Sequence, residues 1–261
     1  MKKIFAAALV LLVVPFSSSA WDKLGHDVSA MIAWENMTSK AKKNISKYLE
    51  GHDDIVYYAS WMDYMGYVTK SGYSNEWFDH CVPVNKDFEY AEGDFPGDAL
   101  MAIEKAIERL GDGKYRNLDD STVLLLIKHL VHFLPDMHCP AHIRYPGNTT
   151  IGYYKVDYFG REMRYHTIWD SEIVQRPHPW SFTDLAWLLD RYTEAEQAEI
   201  TSGTVYDWGR ESAAASKCIY DVQPGESVAH DFIKKYKPLA ESQIAKAGYR
   251  LAAVLNDVFG K

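Results

Sequence analysis

Cysteine is scarce in this chain: Cys81, Cys139 and Cys218 are the only three among 261 residues. That excludes a small disulfide scaffold and leaves at most one bridge and one remaining thiol. Positive charge is scarce as well, with 28 basic against 36 acidic residues and a formal charge of −8. A broad basic face for nucleic acid is therefore excluded. Any anionic substrate must be attracted locally, by a metal cluster or a few placed cations. Proline (10) and glycine (16) are too few for a collagen-like or low-complexity chain. Repeats, linkers and a second composition regime are missing too, which points to one domain.

The first twenty residues differ from the rest. Lys2 and Lys3 precede an apolar run from Ile4 to Phe16, followed by Ser17-Ser18-Ser19-Ala20. This is the pattern of a signal peptide, with an apolar segment too short to cross a bilayer and a small-x-small cleavage site. The expected organisation is thus a signal peptide over residues 1–20 and a catalytic domain over 21–261. The mature protein is then secreted or periplasmic, and losing the two lysines takes its formal charge from −8 to −10.

Along the mature chain the pattern is mostly α. Helices are expected over Asp27–Glu50 with a break near Asn36 to Thr38, over Asp98–Leu110 ended by Gly111, and over Ser121–Leu134. The last of these is nearly apolar throughout, which places it in the middle of the domain. Two more run over Thr204–Tyr220 and Pro238–Phe259. Between Pro146 and Tyr165 the chain is aromatic, alternating and punctuated by glycine, the pattern of a short hairpin.

Histidines collect where chemistry is expected. Four of the ten lie in the segment Lys128 to His142, at the end of the apolar helix. His132 and Asp136 are four apart and share one helix face; His166 and Asp170 repeat that spacing. Imidazole and carboxylate one turn apart suit zinc, which takes each donor at about 2 Å. His142 follows closely enough to face the same cavity. His129 and His138 have no partner at useful spacing and are read as packing or supporting histidines. Cleavage before Trp21 would also expose an α-amine of pKa about 8, able to bind zinc together with its own carbonyl oxygen.

These residues carry a resemblance. Trp21 with His26, Ala59-Ser60-Trp61-Met62-Asp63, Trp77 to His80, the run His132 to His142, Gly147-Asn148, His166-Thr167-Ile168-Trp169-Asp170 and Trp208 to Ser212 stand in the order of one family. The chain resembles the zinc-dependent nucleases that include the fungal single-strand-specific and plant bifunctional enzymes, in the superfamily that also holds bacterial zinc phospholipase C. The resemblance implies a helical domain with three zinc ions. Asp63, His80, His132 and Asp136 would hold one, with Asp79 competing for the place of His80. His142, His166 and Asp170 would hold a second. The Trp21 amine and carbonyl, His26 and a bridging Asp136 would hold the third.

The implied activity is hydrolysis of single-stranded DNA or RNA and of 3′-nucleotides to 5′-phosphorylated products, with Asp63 orienting the attacking water or taking its proton. A phospholipase C or phosphomonoesterase using the same metals is the alternative. A purely structural zinc site would be closed by four protein ligands, whereas the second set has three. The resemblance departs in the substrate-contacting shell. Gly66 stands where an arginine is usual, Pro135 where a glycine is, Cys139 where a glutamine is and Arg164 where an asparagine is. Arg164 could supply the missing cation, and Tyr145, with Tyr153, Tyr154 and Tyr158 nearby, a stacking surface for bases. Cys81 and Cys139 adjoin ligands of the same zinc, which brings their sulfurs close, as a disulfide or as two buried thiols.

Overall fold

The computed structural model describes residues 21–65, 79–92, 97–145 and 154–261. The signal-peptide reading of residues 1–20, Gly66, Trp77, Gly147-Asn148 and Tyr153 lie outside the described residues.

α1 (Lys23–Glu35) starts at Asp22, whose side chain accepts the Leu24 N–H at 3.0 Å, and stops at Asn36. α2 (Ser39–Ile45) then begins behind Thr38, so the expected break is present although the first helix starts four residues early. α3 (Trp61–Met65) is one short turn carrying Asp63. α4 (Ala99–Leu110) is capped by Asp98 and ends at Gly111, as its sequence reads.

α5 (Asp120–His138) is capped by Asp119, which accepts the Thr122 N–H at 2.8 Å. It runs through Pro135, four residues past its expected end. The last turn has support beyond its own ladder, since His138 Nδ1–H donates to the Leu134 carbonyl at 2.8 Å. α6 (Tyr165–Thr167) and α7 (Ile173–Gln175) flank a π-helical turn over Ile168–Glu172. α8 (Phe182–Leu189), α9 (Glu194–Ile200) and α10 (Val205–Ala215) follow, and α11 (His230–Phe259) closes the fold.

α11 begins eight residues ahead of the expected Pro238. Its first turns bury Phe232, Ile233 and Tyr236. Burying such side chains is worth about 1.5–3 kcal/mol each, against about 3 kcal/mol for one interior proline. Packing therefore wins.

The apolar residues form two clusters. One joins α2, α4, α5 and the C-terminal half of α11 around Leu126, Leu130, Phe133 and Leu255. The other gathers Trp21, Val28, Trp169, Ile173 and Leu185 against the N-terminal half of α11. α5 belongs to the first as far as Met137, and Cys139, just past its end, belongs to the second. α1 and α11 approach so closely that a Cβ on Gly248 would sit 2.7 Å from Ile32 Cβ.

Strand structure is small. β1 (Val82–Pro83) pairs in parallel with β2 (Ile143–Arg144), Val82 opposite Ile143. β3 (Lys155–Tyr158) and β4 (Arg161–Arg164) form the antiparallel hairpin, and β5 (Ser227–Val228) adds in parallel to β3. Phe159 and Gly160 both have positive φ, 52° and 77°, the backbone of a tight two-residue hairpin turn.

A histidine and aspartate cluster as candidate metal centre

Each element brings one part of the cluster. α1 starts at Asp22, whose N–H donates to the Asp170 carbonyl at 3.1 Å, so its first turn lies against the π-helical turn and delivers His26. α3 supplies Asp63. α5 carries His132 and Asp136 on one face, as their spacing requires, and the turn after it carries His142. His166 and Asp170 come from the run of α6 and the π-helical turn. The β1–β2 pairing sets His80, two residues before Val82, beside His142, the residue before Ile143. Their ring centroids are 4.6 Å apart.

Asp136 is at the middle. Its Oδ1 lies 3.2 Å from His26 Nε2 and 3.8 Å from His142 Nδ1, and its Oδ2 lies 3.2 Å from His132 Nε2. Asp63 reaches the same imidazoles, at 3.7 Å from His26 Nε2 and 3.6 Å from His132 Nε2. Asp170 extends the chain of contacts, with Oδ1 3.7 Å from His142 Nε2 and Oδ2 2.8 Å from His166 Nε2. The His26 and His132 rings stack at 4.4 Å, and those of His142 and His166 at 5.2 Å. All eight side chains expected from the sequence, His80 included, thus form one connected group. Trp21 is fully buried near it.

The electrostatics are those of a site short of positive charge. Burial pushes Asp63 well above the ordinary carboxylate range, and Asp136 and Asp170 push it further. Burial raises Asp136 too. Burial also holds His26 and His80 down at about 3 and His132 at about 4. His166 goes the other way: burial opposes its charge, but Asp170 and Asp136 outweigh that and raise it. His132 Nδ1–H donates to the Ala59 carbonyl at 3.1 Å, which fixes the tautomer and turns Nε2 toward the two aspartates.

Many buried polar atoms here make no hydrogen bond: both oxygens of Asp136, Oδ1 of Asp63, both nitrogens of His26 and of His142, and Nε2 of His166. Buried polar atoms crowded together without hydrogen-bond partners cost several kcal/mol unless a cation lies among them. Imidazole nitrogen with carboxylate oxygen is a donor set that suits zinc. Two groups could each hold a metal ion, His26 with His132 and Asp136, and Cys139 with His142 and Asp170, their donor atoms within 4.8 Å of one another. A third, Asp79, His80 and Cys81, adjoins them. The residues present fit a bound metal.

The other expected residues lie at the edge of the cluster or beyond it. Asp79, the competitor of His80, stays at that edge, its Oδ1 3.7 Å from His80 Nδ1, where it accepts the Cys81 N–H at 3.2 Å and is ion-paired with Arg144. His138 turns from the cluster toward α11, its Nε2 accepting from Arg250 Nη1 at 2.7 Å. His129 packs edge-on against Phe133. Tyr154 stacks on Tyr165 and donates to the Val222 carbonyl, and Tyr158 is buried, so both are packing residues. Arg164 is exposed on β4, where its charge opposes protonation of His166. Tyr145 lies just past β2, stacked on Phe88 at 5.0 Å and donating to the Lys86 carbonyl at 3.3 Å.

The possible Cys81–Cys139 disulfide is not formed: both are buried free thiols. Their side chains take different partners. Cys139 Sγ donates to Asp170 Oδ1 at 3.3 Å, whereas Cys81 Sγ lies 3.7 Å from Arg144 Nη2. Burial, then Asp170, raises the Cys139 thiol and keeps it protonated. Sequence reasoning missed the Asp79–Arg144 pair and the Cys139–Asp170 contact. Arg144 stands two residues past His142, the one local cue that it adjoins the site.

Comparison with known proteins agrees with the geometry. The family model described as S1/P1 Nuclease matches residues 21–260. Endonuclease 4 of Arabidopsis thaliana is 23% identical, over 98% of this chain and 94% of its own length. Endonuclease 1 of the same plant is 23% identical, over 98% and 92%. Nuclease S1 of Aspergillus oryzae (strain ATCC 42149 / RIB 40) is 24% identical, over 97% and 96%. With a family match across nearly all of the chain, the protein belongs to the S1/P1 nuclease family, and it is a hydrolase of the nuclease class.

Proposed function

We propose that the cluster holds three zinc ions and cleaves single-stranded DNA or RNA, leaving 5′-phosphorylated products, with 3′-nucleotides as further substrates. The observation that carries this reading is the convergence of eight histidines and aspartates, six of them buried, on one another, with Asp136 shared among three imidazoles. Asp63, His80, His132 and Asp136 hold one ion; His142, His166 and Asp170 hold the second. The amine and carbonyl of Trp21, with His26 and Asp136, would hold the third once the signal peptide over residues 1–20 is removed. Bound zinc supplies positive charge against phosphate oxygens and makes water acidic enough to yield hydroxide near neutral pH.

The chain's own residues do the rest. Asp63 orients the attacking water or accepts its proton. Burial keeps His26, His80 and His132 neutral above about pH 4, so their lone pairs stay available. Arg164 meets the phosphate and the Tyr145 ring meets a base. The acidic chain, at −8 overall, then draws phosphate to one focus of positive charge. Among the described residues no helix is long and apolar enough to cross a membrane. Export as a secreted or periplasmic protein follows from the leader.

The test is incubation of zinc-loaded protein beginning at Trp21 with a short single-stranded oligonucleotide, products being identified by mass. The expected result is 5′-phosphorylated fragments and mononucleotides, abolished by EDTA. An intact oligonucleotide beside a full zinc complement would overturn the nucleic-acid reading. Phospholipids and small phosphomonoesters would then be the substrates to test.

A further inference from the structure

Cys139 is fully buried at the end of α5 and contacts three donor-bearing segments at once. Its N–H donates to the Asp136 carbonyl and its own carbonyl accepts the His142 N–H, both at 2.9 Å. Its Sγ donates to Asp170 Oδ1 at 3.3 Å. The other oxygen of Asp170, Oδ2, lies 2.8 Å from His166 Nε2, and Oδ1 itself lies 3.7 Å from His142 Nε2. Neither nitrogen of the buried His142 makes a hydrogen bond.

We propose that Cys139 is a positioning residue for the metal held by His142, His166 and Asp170: its S–H holds the Asp170 carboxylate turned toward the two imidazoles. The proposal rests on reading Asp170 as a ligand. A rotating carboxylate would have to be ordered each time the metal bound, whereas one held by an outer partner is already set. The same sulfur, within 4.8 Å of donor atoms of His142 and Asp170, could instead ligate the metal. That would close the set with four protein donors and leave no position for water or substrate. It would also place a thiolate beside the carboxylate it now donates to.

Cys139→Ser and Cys139→Ala remove nearly the same volume, but only serine retains a donor, so the difference between them isolates the hydrogen bond from packing. Zinc affinity is read by competition with a chromophoric chelator. Cobalt-substituted wild-type protein is examined for a sulfur-to-cobalt charge-transfer band, a measurement that needs no variant to fold. The expected results are one zinc ion loosened by about 10–100-fold in Cys139→Ala, a smaller loss in Cys139→Ser, and no charge-transfer band. Equal affinities in the two variants would reduce Cys139 to a packing residue, and a strong band would make it a ligand; either overturns the proposal. Neither outcome touches the oligonucleotide test, whereas wild-type protein that binds no zinc at this set would overturn both readings.

Discussion

Asp136 has two oxygens and three imidazoles around it, and burial keeps it protonated while no metal is bound. Asparagine has nearly the size and the neutral charge of that protonated form. Asp136→Asn is therefore expected to fold and melt like the wild type when both are metal-free. With zinc supplied it should hold fewer ions per chain and lose more than about 100-fold in cleavage, since even outer partners of metal ligands are worth 10–100-fold. Metal analysis beside the oligonucleotide assay checks this, and an unchanged zinc content would remove Asp136 from the ligand set. At this scale much was legible in the sequence. The spacing of His132 with Asp136 and of His166 with Asp170 states their meeting directly, because one helical turn is a local rule. The direction of the Cys139 side chain was not legible, because it depends on where a segment 31 residues away packs.

Elements set distances that single residues cannot. The helices read well from capping and periodicity, and where the reading failed, at Pro135 and Pro238, burial of neighbouring side chains outweighed the local cost of proline. The pairing of β1 with β2 was invisible in the sequence. Two strands of two residues carry no periodicity, yet their register is what brings His80 to His142. The α1–α11 crossing offers the sharpest test of an element's role. A Cβ on Gly248 would lie 2.7 Å from Ile32 Cβ and 2.9 Å from the Ser29 carbonyl oxygen. Gly248→Ala is expected to destabilise by about 1–3 kcal/mol, the usual range for overpacking. Trimming Ile32 to alanine in the same chain should recover part of the side-chain clash. Urea denaturation measures both, and additive losses would show that the helices have room at this crossing.

Across the whole molecule the buried titrating groups pull stability in opposite directions. In the metal-free protein His26 and His80 titrate near about 3 and His132 near about 4, below the ordinary histidine value of about 6.5. Their contribution is present above about pH 6.5 and is lost as pH falls, because the unfolded chain takes up protons first. Asp63 and Asp136 are raised, so theirs is present below about pH 4 and is lost as pH rises. Metal-free protein should therefore be most stable at about pH 6–7. Zinc displaces the carboxyl protons and should raise the melting temperature more at pH 8 than at pH 5. Melts across pH with and without zinc check the sign, and a larger zinc effect at pH 5 would contradict it. The long contact between α1 and α11 has a consequence in time. α11 follows every other described element, and α1, with His26 on it, rests along α11. While the chain is being made, α5 can emerge and pack with α4, and α1 can rest on α5 and α8, but its most extensive contact forms only when α11 arrives. The place of His26 in the cluster is thereby tied to residues near the far end of the described chain, so assembly of the site is coupled to the docking of α11.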